Sequence, residues 1–233
     1  MADNYLEKKF EEHNSQSVHQ RTKQTKIKIR NIFVTRGANG VGQAVVRALR
    51  VAGNNVAFCD IDDVAGKELS TTTGTYFLHA DISQSEELKN AMKAVVDKWG
   101  RIDIIINNIT SGKGVKLTEA TTDMFDNVMA ANVRPIFVTA QQMLLMHNCE
   151  NRTLGRIINI SAKPNTELQS AVSGAIISFT QSLAQSMAKY GINVNTVSYD
   201  PQKLNYDNMA RIVRFLCDEN SNGINGENIV CSA

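Results

Sequence analysis

Asn31-Ile32-Phe33-Val34-Thr35-Arg36-Gly37-Ala38-Asn39-Gly40-Val41-Gly42 is the stretch that decides the fold. Ile32-Phe33-Val34 reads as a buried strand, a glycine-rich turn follows, and residues 41–52 read as a helix with Val45, Val46 and Leu49 on one side. Such an order suits a dinucleotide pyrophosphate, because glycines let the backbone approach and a helix start offers unpaired N–H groups. An acidic residue after the next strand, placed to hold the adenosine ribose, would complete the pattern, and Asp60 follows the strand read at residues 55–59. A turn of purely structural use is the alternative.

Outward from this unit the alternation continues. A helix is read from Asp63, a strand at 75–78, a helix at 83–99 and a continuous apolar strand at 102–106. A long helix over 122–147 is interrupted by Pro135, which predicts a kink or a shifted start. A strand at 156–160, a helix at 170–190, a strand at 192–197, a helix at 208–217 and a strand at 227–231 complete the pattern. Strand-helix repetition of this kind gives an α/β fold: a doubly wound, mostly parallel seven-stranded sheet with helices on both faces, the Rossmann arrangement. The expected organisation is a charged arm over residues 1–26, with a short helix at 5–12, and a single Rossmann domain over 27–233.

Composition narrows the function classes. With 42% apolar and 21% charged residues the chain sits near the globular average. It has no apolar run of bilayer length, so no membrane partner is expected. The opening residues mix Asp3, Glu7, Glu11 and Glu12 with Lys8 and Lys9 and lack an apolar stretch, so neither a secretory signal nor a transit peptide is expected; the reading is cytoplasmic. Cys59, Cys149, Cys217 and Cys231 form no C-x-x-C pair, and the four histidines have no ligand spacing, so no metal site or disulfide framework is expected. Residues 1–30 hold seven Lys/Arg against four Asp/Glu, which leaves 18 basic and 19 acidic residues for the body, a net of −1. The basic run from Arg21 to Arg30 reads as a solvated face, and no nucleic-acid partner is expected.

The loop Thr35-Arg36-Gly37-Ala38-Asn39-Gly40-Val41-Gly42 resembles the T-G-x-x-x-G-x-G loop of the short-chain dehydrogenase/reductase family, and further landmarks follow in that family's order. Ala80-Asp81-Ile82 is similar to the segment that contacts adenine, and the strand ending at Asn107-Asn108 to the one ending in N-N-A-G. Asn132 is similar to the Asn of the central helix, and residues 155–161, 178–184 and 191–195 to the later strand, helix and strand. The resemblance implies cofactor contacts from Arg36, Gly37, Asn39, Gly40, Val41, Gly42, Asp60, Asp81, Ile82 and Asn108. The carboxylate at Asp60 implies NAD(H) rather than NADP(H). Two departures predict that binding is weak or absent. Arg36 replaces the loop's first glycine, where its side chain either blocks the pyrophosphate or pairs with it, and Ile109-Thr110 replaces Ala-Gly.

At the catalytic end the resemblance implies a Ser, a Tyr and a Lys one helical turn later, with the Tyr exchanging a proton at the substrate oxygen. Those positions read Ala162, Gln169 and Ser173, and only Asn132 is retained. A glutamine amide does not titrate usefully and a serine carries no charge. The segment after the strand at 192–197 is too short for the helical lid of the family. The expectation is therefore an impaired member with a binding or scaffolding role. The alternative is an active NAD-dependent oxidoreductase, acting on an alcohol or carbonyl, whose proton is handled by relocated groups, Tyr199 and Lys163. The resemblance also implies a homo-oligomer, dimer or tetramer, and the stripe Val172, Ile176, Phe179, Leu183, Met187 suits either that interface or the core.

Overall fold

The computed structural model describes residues 29–109, 114–146 and 154–232. The charged helix read at 5–12, the domain start near 27, Thr110, His147 and Cys149 lie outside the described residues. Seven strands, β1 (Asn31–Thr35), β2 (Asn55–Asp60), β3 (Tyr76–His79), β4 (Ile104–Ile109), β5 (Gly155–Ala162), β6 (Ile192–Tyr199) and β7 (Asn228–Cys231), form one sheet in the order β3-β2-β1-β4-β5-β6-β7. Every pairing is parallel. Seven α-helices accompany them: α1 (Gly40–Val51), α2 (Asp63–Thr73), α3 (Ser85–Trp99), α4 (Thr122–Asn132), α5 (Arg134–Met146), α6 (Glu167–Met187) and α7 (Tyr206–Cys217).

Side chains of successive strand residues point to opposite faces, and β1 sorts the core accordingly. Ile32 and Val34 pack with Val45, Val46 and Leu49 of α1, Leu69 of α2 and Met209, Val213 and Leu216 of α7. Phe33 packs on the other face with Leu88 and Met92 of α3, Val138 and Met143 of α5 and Met187 of α6. Both faces of the sheet are covered, as an all-parallel sheet requires. The stripe on α6 is core-facing: Val172, Ile176 and Met187 are buried, with Phe179 and Leu183 packed against that core.

The helix read over 122–147 is two helices. Its break falls at Val133, between α4 and α5, because Pro135 has no N–H to give to the preceding turn and sits instead in the first turn of α5, where none is needed. The Val133 carbonyl then accepts from the amides of Ile136 (3.1 Å) and Phe137 (3.4 Å), which starts α5. No helix among the described residues is long and apolar enough to cross a membrane.

One polar chain crosses the buried layer between the sheet and the helices α5 and α6. Asn107 Nδ2 donates to Asn159 Oδ1 (2.9 Å), Asn159 Nδ2 donates to Thr180 Oγ1 (2.9 Å), and Thr180 and Thr196 share a bond of 2.8 Å. Thr139 Oγ1 closes the far end on Asn107 Oδ1 (3.1 Å). Satisfied in this way, polar residues fix the mutual register of β4, β5 and β6 without an unpaired group.

Candidate active site

Strand order reverses between β1 and β4, and the crevice outside their carboxyl ends is where this architecture receives ligands. A cavity of about 610 Å³ opens there, bounded by Arg36, Asn39, Gly40, Val41, Asp60, Asp81, Ile82, Asn108, Asn132 and Tyr199. The structure thus brings together most of the residues the sequence nominated. Gly37 and Gly42 sit behind the wall for packing reasons. A Cβ on Gly37 would stand 2.5 Å from Phe58 Cβ, and one on Gly42 would stand 2.1 Å from the Arg36 carbonyl oxygen. Asn108 ties β4 to the turn, its amide N–H donating to Thr35 Oγ1 (3.0 Å) and its Nδ2 to the Arg36 carbonyl (2.9 Å).

At the phosphate end the fit to a dinucleotide is good. Asn39 precedes α1 in an extended conformation but gives it no side-chain cap; its Nδ2 donates instead to Asp62 Oδ2 (3.1 Å). The first-turn N–H groups of α1 therefore keep their positive end for an anion. Above Gly40, a Cβ would meet nothing within 4 Å, which is the room a phosphate needs.

At the adenosine end the fit is opposed. Arg36 has a left-handed φ of 48°, a conformation that favours glycine, so the turn has kept its shape after losing the residue best suited to it. Its half-buried side chain shares the cavity with Asp60 and Asp81. Burial pulls the guanidinium below its ordinary range, while the carboxylates of Asp81 and then Asp60 work the other way, so these are the charges it answers to. Asp60 is further committed, accepting from the amides of Ala38 (3.0 Å) and Asp62 (3.2 Å).

At the catalytic end the positions that the family's Ser, Tyr and Lys would take hold Ala162, Gln169 and Ser173. Ala162 lies beside Tyr199 across β5 and β6, and Gln169 and Ser173, one turn apart on α6, are buried at 6% and 9% exposure. Gln169 Oε1 accepts from the Asn165 amide (2.9 Å), so this side chain shapes the loop after β5. Asn132 lines the cavity with its Nδ2 donating back to the Val128 carbonyl (2.7 Å), and its Oδ1 is buried without a partner, as is that of Asn108. The two groups nominated as substitutes are separated. Tyr199 faces the cavity, and burial, then Tyr206, push its phenol above the ordinary range. Lys163 is exposed and outside the cavity wall, its Nζ 3.6 Å from Asp200 Oδ2.

Leu204 and Tyr206 also line the cavity, and the sequence reading missed them. The helix was read from residue 208, but Asn205 caps it, its Oδ1 accepting from the Asn208 amide (3.0 Å), so α7 starts at Tyr206. An Asn just ahead of an apolar-periodic segment is the signal that marks such a start. The β6-to-α7 connection, residues 200–205, is correspondingly short.

Comparison with known proteins agrees with this geometry. Residues 37–205 match the family model described as Enoyl-(Acyl carrier protein) reductase. L-fucose dehydrogenase from Mus musculus is 31% identical over 175 residues, which are 72% of this chain and 63% of that protein. (+)-Borneol dehydrogenase 2 from Salvia officinalis is 29% identical over 178 residues, 71% of this chain and 62% of that protein. The chain thus matches less than two thirds of the length of these relatives. The crystal structure of 3-ketoacyl-(acyl-carrier-protein) reductase from Brucella melitensis, complexed with NADH, shares the fold with a TM-score of 0.82 at 20% identity, over 89% of this chain and 98% of that one. With the matched span running from the glycine turn through β6 to the cap of α7, this chain belongs to the short-chain dehydrogenase/reductase family.

Proposed function

We propose that this chain is a catalytically impaired short-chain dehydrogenase/reductase that binds NAD(H) weakly and serves as a binding or scaffolding subunit. The observation that carries the reading is the combination of Ala162, Gln169 and Ser173 at the catalytic end, none of which is suited to exchange a proton with a substrate oxygen. The dinucleotide, when bound, supplies or accepts a hydride. The Asn39-Gly40-Val41 backbone would hold its phosphates, Asp60 its ribose and Asp81 and Ile82 its adenine, once Arg36 gives way. The described connection after β6 is too short to form a helical lid that keeps water out of the crevice.

The expected result of a hydride-transfer assay with NAD(H) and NADP(H), run over a panel of alcohols and carbonyl compounds, is no turnover above background. A second reading, catalysis through a relocated phenol, draws on the place of Tyr199 in the cavity wall. It requires turnover that Tyr199→Phe abolishes. Tyr199 as placed is a poor acid, because burial and then Tyr206 raise its pKa, and Lys163 is turned to Asp200.

Self-association is part of the proposal. On α4 and α5, Met124, Phe125, Phe137 and Leu145 are exposed at 42%, 44%, 52% and 74%, whereas the stripe on α6 is occupied within the subunit. Exposed large apolar side chains on two neighbouring helices are what a partner copy would cover. Light scattering should show a dimer or larger assembly that Phe137→Glu dissociates; a wild-type monomer would remove this part of the reading. A cytoplasmic setting is also proposed, in keeping with the free buried thiols of Cys59, Cys217 and Cys231.

A further inference from the structure

A second concavity adjoins the dinucleotide crevice, with which it shares Gly40 and Tyr206, and runs along the groove between α1 and α7 with a volume of about 770 Å³. Its walls are two helical stripes: Ala44, Arg47 and Ala48 on α1, and Ala210, Arg211 and Arg214 on α7. Both helices return from the carboxyl edge of the parallel sheet onto the same face, so they run in the same direction. Arg47 lies about 10 Å along α1 from Gly40, and Arg211 and Arg214 lie about 8 and 12 Å along α7 from Tyr206, and all three line the same groove.

These arginines differ from the others that the fold employs. Arg30 is bonded to Glu219, Arg50 to the Thr73 carbonyl, Arg101 to Asp103 and Arg156 to the Asp218 carbonyl. Among the described residues Arg47, Arg211 and Arg214 have neither a hydrogen bond nor an ion pair, and they face only one carboxylate in the groove, that of Asp207. A local charge of +2 on a body of net charge −1 is self-repelling, and alanines below it leave the groove open instead of filling it. Unpaired guanidinium groups over a small-residue floor form a receptor for a multiply charged anion, which several forked donors grip at once. At the other end of the groove, Tyr206 offers a ring face and Asp207 an acceptor for hydroxyl or amino groups.

We infer that the α1–α7 groove is a binding site for the polyphosphate group of a small molecule, held by Arg47, Arg211 and Arg214, none of which lines the adjoining dinucleotide crevice. Inorganic tripolyphosphate and ATP carry the same phosphate chemistry and are the two probes. Titration calorimetry on the full chain at low ionic strength is expected to show one equivalent of either bound, weakened by salt. Arg47→Gln and Arg211→Gln should each lower affinity by about tenfold, while Arg134→Gln, an exposed arginine on α5, leaves it unchanged. Thermal melts of the variants should match wild type, since the three side chains support nothing else. If ATP binds more tightly than tripolyphosphate and Tyr206→Ala removes the surplus, the ligand is a nucleotide; equal binding assigns the site to the phosphate chain alone. Absence of binding by both probes, binding that Arg47→Gln and Arg211→Gln leave intact, or equal weakening by Arg134→Gln would overturn the inference.

Discussion

Arg36→Gly is expected to tighten NADH binding by about tenfold, the equivalent of roughly 1.4 kcal/mol. In the wild-type chain the guanidinium shares the adenosine end of the crevice with Asp81 and Asp60, and a dinucleotide must move it and leave two carboxylates without their cation. Glycine removes that competitor and leaves Asp60 to face the ribose. It also relieves the left-handed φ of 48°, worth about 1 kcal/mol for a side chain with a Cβ. Loss of the cation between two carboxylates acts against that gain, so the melting temperature should move little and calorimetric affinity is the informative readout. NADPH should stay a poor ligand of the variant, because a 2′-phosphate still meets the Asp60 carboxylate. Weaker NADH binding in Arg36→Gly would show the opposite role, with the guanidinium serving as a ligand of the pyrophosphate.

Whether Arg36 turns toward phosphate or toward the carboxylates was not legible in the sequence. The turn itself was, because a strand, clustered glycines and a helix start are local patterns. Direction depended instead on Asp81, which arrives after β3, and on a backbone conformation that residue type argued against. The α6 stripe has the same lesson. Helical spacing shows that Val172, Ile176 and Met187 share a face, but only the chain packed over them decides whether it is core or interface, and here it is core. In the sequence Tyr199 and Lys163 are candidates together because Tyr199-Asp200 stands where the resembled family has Pro-Gly near the nicotinamide and Lys163 follows the missing Ser. Alternation along β6 and the pairing of Lys163 with Asp200 place one in the crevice and the other in solvent. The arginine groove is not legible in the sequence for a related reason: its two stripes come from α1 and α7, far apart along the chain, and neither alone is more than an ordinary solvated face.

Asn159→Ala is expected to destabilise the fold by about 3 kcal/mol, the largest effect of any single change considered. The substitution removes the acceptor of Asn107 Nδ2 and the donor to Thr180 Oγ1 in a layer where Asn107, Asn159 and Thr196 are wholly inaccessible. An orphaned buried donor costs about 1–3 kcal/mol, and the emptied volume adds to it. Against a typical domain stability of about 5–15 kcal/mol that is a substantial fraction, measurable as a lower urea midpoint at unchanged slope. Asn107→Val combined with Asn159→Val should recover part of the loss, since no amide donor is then left without an acceptor, and the two changes will not add. A loss below about 1 kcal/mol for Asn159→Ala would mean that the remaining threonines reorganise to satisfy Asn107. The functional consequence follows from the next residue along β4. Asn108 holds the Arg36 carbonyl and the Thr35 hydroxyl, so loosening the register of β4 against β5 should also blunt the rise in melting temperature expected of the wild-type chain with saturating NADH under the proposed function.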